Sequence, residues 1–228
     1  MKCLIVNGDD LGASRGINRG ILEAHERGIL TSTSLLVNTP WSGEAARLSR
    51  AAADLSVGLH VDLGKELTLT AGSPGSLRDE LRRQFARFLE LMDRRPTHLD
   101  SHHNVHRDPQ ALPLFLELAQ QHGLPLREHS SVRYFSKFYG QWGGRTHLEQ
   151  LSVESLARML ATEIGDGFTE LSCHPGYIDA DYPTGYRTER EEELRTLCDP
   201  RIRQALTEMS IHLVSYHDLG KVAVSLKT

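Results

Sequence analysis

Short apolar or β-branched runs alternate with helical patterns along almost the whole chain. That alternation restricts the fold more than any other feature of the sequence. Residues 2–6, 31–37 and 56–61 read as strands. Residues 97–99, 125–127, 169–173 and 211–215 read as four more. Between them lie helical patterns. In residues 14–27, Ser14 suits an N-cap, Ile17, Ile21 and Ala24 form a stripe, and Gly28 suits a stop. Residues 42–53 are Ala-rich. In residues 76–94, Leu81, Phe85, Phe88 and Met92 share one face, and in residues 153–164 so do Leu156, Leu160 and Ile164. Residues 109–121 read as a helix with prolines in its first turn, and residues 188–209 as one or two helices broken near Pro200.

Strands that alternate with helices imply a parallel sheet with helices outside. About seven such units in 228 residues predict an α/β architecture: a distorted or incomplete (β/α) barrel, TIM-barrel-like, with about seven parallel strands. A full eight-unit barrel takes ~250 residues. An open doubly wound sheet is the alternative. No linker or composition break interrupts the chain, so residues 1–228 are read as a single domain. Residues 130–150 carry no clear period but hold Tyr134, Phe135, Phe138, Tyr139 and Trp142 beside Gly143 and Gly144. They read as a long excursion over one face.

Composition narrows the function. Hydrophobic residues make up 39% and charged residues 25%, as in ordinary globular chains. No apolar run approaches the roughly 20 residues that span a bilayer, and the start lacks the apolar region of a signal peptide. A net charge of -4 argues against nucleic acid as a partner. Cys3, Cys173 and Cys198 share no metal or disulfide spacing, which suits a reducing cytoplasm. A homodimer is only the common case among oligomers. The one excess is histidine: 12 in all, six of them between His98 and His129.

In a βα barrel the active site lies at the carboxyl ends of the strands. The expected strands end there in Asp9 and Asp10, His60, Asp100 with His102, His103 and His106, Arg127, His174, and Tyr216 with His217 and Asp218. Adjacent carboxylates on an extended chain face opposite ways, so Asp9 and Asp10 can hold different jobs; a turn or helix cap is the plainer reading. If the strand continued past Asp100, that residue, His102 and Asn104 would project together. A carboxylate and two imidazoles suit Zn²⁺ or another first-row ion, whereas Mg²⁺ prefers more oxygen. His174, before Pro175, is a proton donor or a packing histidine. Arg127 orients a carboxylate or sits on the surface. The charged run 190–193 and the basic cluster 82–87 read as solvated helix faces.

The segments LIVNGDDLG, GILTSTSLLVN, VGLHVDL, PTHLDSHHNVH and CHPGYID resemble the YdjC-like carbohydrate deacetylase family, in order, from residue 2 to about residue 218. The resemblance implies a distorted βα barrel related to polysaccharide deacetylases. It also implies one divalent metal ion, Mg²⁺ or Zn²⁺, and hydrolysis of the N-acetyl group of an amino sugar or short chitooligosaccharide. By position it makes Asp10, His60 and His102 metal ligands, Asp9 the base and His174 the acid, with Arg127 near the base. One departure stands out: the family pattern His-x-His-x-His has Asn104 at its middle position. Two other readings stand beside it: a phosphoesterase-type hydrolase on the same scaffold, and a sugar-binding protein without catalysis.

Overall fold

The computed structural model describes residues 1–64, 74–180 and 182–220. Seven parallel strands form one sheet: β1 (Lys2–Leu11), β2 (Ser32–Leu35), β3 (Ser56–Val61), β4 (Leu99–Ser101), β5 (Arg133–Phe135), β8 (Gly167–Cys173) and β9 (Ile211–Leu213). Their order is β4-β3-β2-β1-β8-β5, and β9 pairs with the start of β1. The helices between them are α1 (Arg15–Arg27), α2 (Ser42–Ala51), α3 (Pro74–Met92), α4 (Leu112–His122), α5 (Val153–Glu163), α6 (Thr188–Leu197) and α7 (Pro200–Glu208). The expected alternation and the incomplete barrel are therefore both present.

The sheet is strongly curled. β4 and β8 stand four strand spacings apart, about 19 Å in a flat sheet. Yet the guanidinium of Arg127 reaches Asp100 on β4 at 2.8 Å and Glu170 on β8 at 2.5 Å. The curl does not close: among the described residues no ladder joins β4 to β5. The strand expected over residues 125–127 is reduced to a single bridge, Leu126 beside Leu99. The ladder strand is β5, inside the segment expected to lack regular structure. That segment also holds a hairpin, β6 (Gln141–Trp142) and β7 (Arg145–Thr146). Gly143 and Gly144 turn it with φ of 58° and 73°, the left-handed pair that a tight hairpin requires.

The helices form for the expected local reasons. The Ser14 hydroxyl accepts from the Ile17 amide at the start of α1. Asp199 caps α7 immediately before Pro200, so the charged stretch splits there into two helices. Leu81, Phe85, Phe88 and Met92 all turn inward from α3. Cys3 and Cys173 are buried free thiols. No described helix is long and apolar enough to cross a membrane.

One contact ties α1 to the loop after β8. A Cβ on Gly20 would lie 2.5 Å from the Gly176 Cα, with further backbone atoms at 3.0 and 3.1 Å. Neither partner has a side chain that could rotate away. Alanine is the better helix former, yet Gly20→Ala is expected to destabilise the protein by about 1–3 kcal/mol, as overpacking does. Urea denaturation measures it; an unchanged or raised midpoint would contradict the contact.

Candidate active site

Asp9 and Asp10 lie within β1 rather than beyond it. A regular strand would send them to opposite faces. Asp10 instead has a φ of 71°, and the pairing of β1 with β2 shifts register between Gly8 and Leu11. The irregularity brings both carboxylates to one cavity of about 650 Å³ at the carboxyl end of the sheet. His60, His102, His103, Asn104, Tyr134, Tyr139, His174, Tyr182, Tyr186 and Arg190 also line it.

Asp9 is clamped. Arg127 donates Nη1 to its Oδ2 and Nη2 to its Oδ1, both at 2.8 Å, and Asn7 Nδ2 donates to Oδ1 at 2.8 Å. Burial pushes the Asp9 carboxyl up, but the guanidinium holds it below its ordinary value. Arg127 itself is buried, stacks under the Tyr134 ring and is ion-paired to Asp9, Asp100 and Glu170. The expected pairing of Arg127 with a carboxylate is thus present three times over.

Asp10, His60 and His102 converge. Their donor atoms lie within 4.8 Å of one another. Asp10 Oδ1 stands 3.4 Å from His60 Nε2 and 3.0 Å from His102 Nδ1, and it is buried without a hydrogen-bond partner among the described residues. An orphaned carboxylate oxygen between two ring nitrogens fits a divalent cation better than it fits the protein alone. The other His60 nitrogen, Nδ1, is 2.8 Å from Asp100 Oδ1, the outer contact that orients a ligating imidazole. Burial pushes the His60 pKa down, but Asp100 and Asp10 lift it to about 10. The Asp10 carboxyl is pushed up by burial and held well below its ordinary value by Arg190, whose Nη2 donates to Oδ2 at 2.5 Å. Asp9, His60 and Asp100 form a second constellation with metal-ligand spacing, but Arg127 already supplies its positive charge.

His174 follows β8, with Nε2 4.0 Å from Asp9 Oδ2. Burial holds its pKa down to about 4. Its ring meets Tyr139 and Tyr186 edge to face.

Several expectations change. The strand stops at Ser101, and residues 102–107 form a tight turn with His103 and Asn104 at φ of 55° and 54°. Alternation therefore does not place Asp100, His102 and Asn104 together. Asp100 points into the barrel and His102 into the cavity. His106 is buried between Ser101 and Glu128, where it pins the turn. Tyr216 is also interior, stacked on His98 and bonded to Glu170, while His217 is exposed and lies outside the cavity. The run 190–193 is not a solvated face throughout: Arg190 and Glu193 are buried against the site. Their signal was phase, because 190, 193, 194 and 197 share one helical face with Leu194 and Leu197. Glu170, a lone acid within a buried strand, was also missed.

With this geometry the chain can be compared with known proteins. The profile described as YdjC-like protein matches residues 3–208. The chain belongs to the YdjC-like protein family. This YdjC-like protein is 37% identical to a chitooligosaccharide deacetylase of Serratia marcescens, over 96% of this chain and 99% of that one. It is 35% identical to a carbohydrate deacetylase of Geobacillus stearothermophilus, over 96% and 98%. A solved Enterococcus faecalis structure, provisionally named a cellobiose-phosphate cleavage protein, superposes with a TM-score of 0.79 at 27% identity, covering 96% of this chain and 98% of that one. More distant structures of the same fold include a peptidoglycan deacetylase.

Beneath the site, burial lowers the His98 pKa to about 4. The unfolded chain therefore binds a proton between pH 6.5 and 4 that the folded one does not. Stability is expected to fall across that window by on the order of 2–3 kcal/mol from His98 alone. Urea midpoints of wild type and His98→Gln at pH 7 and 4.5 measure it, and equal losses in both would refute the assignment.

Proposed function

We propose that this protein removes the acetyl group from an N-acetylated amino sugar or short chitooligosaccharide by metal-assisted hydrolysis. Asp10, His60 and His102 hold the ion, Asp9 is the base and His174 the acid. The observation that carries the reading is the meeting in one cavity of an orphaned Asp10 oxygen between two imidazoles, a clamped carboxylate and a third imidazole. The named activities of the Serratia and Geobacillus relatives support it.

A divalent ion bound there supplies Lewis acidity towards the acetyl carbonyl and the attacking water. Two nitrogens and one oxygen favour Zn²⁺ or another first-row ion over Mg²⁺. The chain's own residues do the rest. Asp9, fixed by Arg127 and kept ionised, accepts the proton as water attacks the carbonyl carbon. His174 delivers a proton to the departing amine nitrogen, without which the C–N bond breaks slowly. Asp9 Oδ2 and His174 Nε2 stand 4.0 Å apart, too far for a direct transfer, so the proton returns to the imidazole through one water and closes the cycle. The exposed ring of Tyr139, stacked at 4.6 Å on Tyr186, offers a face to a sugar. Arg127 and Arg190 are already engaged by carboxylates, which leaves neither to hold a phosphate.

Acetate release from diacetylchitobiose, by chelator-stripped protein with Zn²⁺, Mg²⁺ or nothing restored, tests the reading. Release should require the metal. Asp9→Asn should lose ~10²–10⁴ in rate with metal still bound, and His102→Ala should lose both metal and activity. Asp9→Asn with most of its turnover would sink the base assignment. No release with any metal, despite a bound ion, would sink this substrate class.

A further inference from the structure

Glu193 is a fully buried carboxyl without a cation in hydrogen-bond contact among the described residues. It sits on α6 directly behind His174. Its Oε2 accepts the His174 backbone N–H, and its Oε1 accepts the Tyr186 hydroxyl at 2.5 Å. Oε1 is also 4.0 Å from His174 Nδ1, a buried nitrogen with no hydrogen-bond partner. So the site pairs a carboxyl that no cation touches directly, Arg190 being committed to Asp10, with an imidazole nitrogen that has no hydrogen-bond partner among the described residues. Protonating the carboxyl satisfies both, and closing the gap to the usual ~2.9 Å takes a side-chain shift of about 1 Å.

We propose that Glu193 is a positioning residue for the deacetylation: its carboxyl proton, shared with His174 Nδ1, holds the imidazole in its Nε2–H form and backs the proton that it delivers. This rests on the reading of His174 as the acid. As Nε2 gives its proton to the departing amine, Nδ1 takes the proton of Glu193, which becomes a carboxylate. When Nε2 recovers a proton from Asp9, the Nδ1 proton returns to Glu193. Every proton is accounted for, and no bare imidazolate forms.

The surroundings agree. Burial raises the Glu193 pKa to about 8, so the carboxyl keeps its proton near neutrality. His174 alone, held to about 4, would carry no spare proton there. The groups facing the pair are Asp9 and Asp10 from β1, His60 from β3, Cys173 from β8, Tyr139, Tyr186, and Arg190 from α6. Only Tyr186 and the His174 amide bond directly to Glu193 among the described contacts.

The test uses the metal-loaded protein. In wild type at pH 7, ¹⁵N-histidine NMR should show His174 as the Nε2–H tautomer with a donor on Nδ1. A proton resident on Nδ1 would overturn the proposal without any variant. Glu193→Gln keeps the shape and one hydrogen-bond donor but has no proton to transfer. Its kcat should fall at least about tenfold at pH 7, and the alkaline limb that loss of the Glu193 proton sets in wild type should vanish from its place near pH 8. KM and metal affinity should stay within about twofold. A wild-type profile in Glu193→Gln, with His174→Ala inactive, overturns the role of Glu193 alone. Full turnover in His174→Ala instead overturns the acid reading on which it rests.

Discussion

Three carboxylates from three strands share one guanidinium that water does not reach. Arg127 binds Asp9 of β1, Asp100 of β4 and Glu170 of β8, and much else follows from that bond set. It pulls two distant strands of an unclosed sheet towards each other. It fixes both oxygens of Asp9. Through Asp100 it also sets the ring of His60, whose free nitrogen then faces Asp10. Such a cluster is a poor way to gain stability, because desolvating four charges offsets most of their attraction. What it supplies is fixed geometry. Glu170 is the least favoured member: burial lifts its pKa, and Arg127 only partly opposes the rise.

The second constraint is one backbone angle. Strand alternation would put Asp9 and Asp10 back to back, and a left-handed residue at position 10 undoes it. The two carboxylates become neighbours in one cavity while keeping separate partners, Arg127 for Asp9 and Arg190 for Asp10. A positive φ on a residue other than glycine is costly and tends to persist where function requires it. His103 and Asn104 repeat the device across the cavity, where they turn the chain so that His102 faces Asp10. Asparagine tolerates that conformation well, which gives Asn104 a local backbone role.

The sequence discloses those parts of the fold that rest on periodicity. The stripe of α1, the inward face of α3, the break at Pro200 and the parallel alternation all have repeating signals. The strand ends likewise announce Asp9, Asp10, His60, His102, Arg127 and His174. Their meeting in space is visible only in the structure, and the resemblance, not the spacing, is what separates ligand from base. β5 is too short to carry a period, so its place was misassigned to residues 125–127. Arg190 and Glu193 were missed for a different reason: their phase with Leu194 and Leu197 marks an inward face, but charge in a helix ordinarily means solvent, and phase does not say that a cavity lies opposite. The left-handed angle at Asp10 has no signature in a single chain either, since Asp-Asp-x-Gly also suits a plain turn.

The β6–β7 hairpin has its own bearing on how such a protein diversifies. It hangs beside the cavity by a few bonds: Gln141 to the Gly185 carbonyl, Thr146 to Glu189, and the Gly140 amide to the Tyr186 hydroxyl. None of them touches Asp10, His60 or His102, and among the described residues no ladder links the hairpin to the main sheet. Its tip carries Trp142, flat against His147 and half exposed. A segment attached in this way is a replaceable module. Of the buried charges, only Glu189 is bonded to it among the described contacts. A change in length or sequence confined to its tip would leave the Arg127 and Arg190 clamps on Asp9 and Asp10 with all their partners.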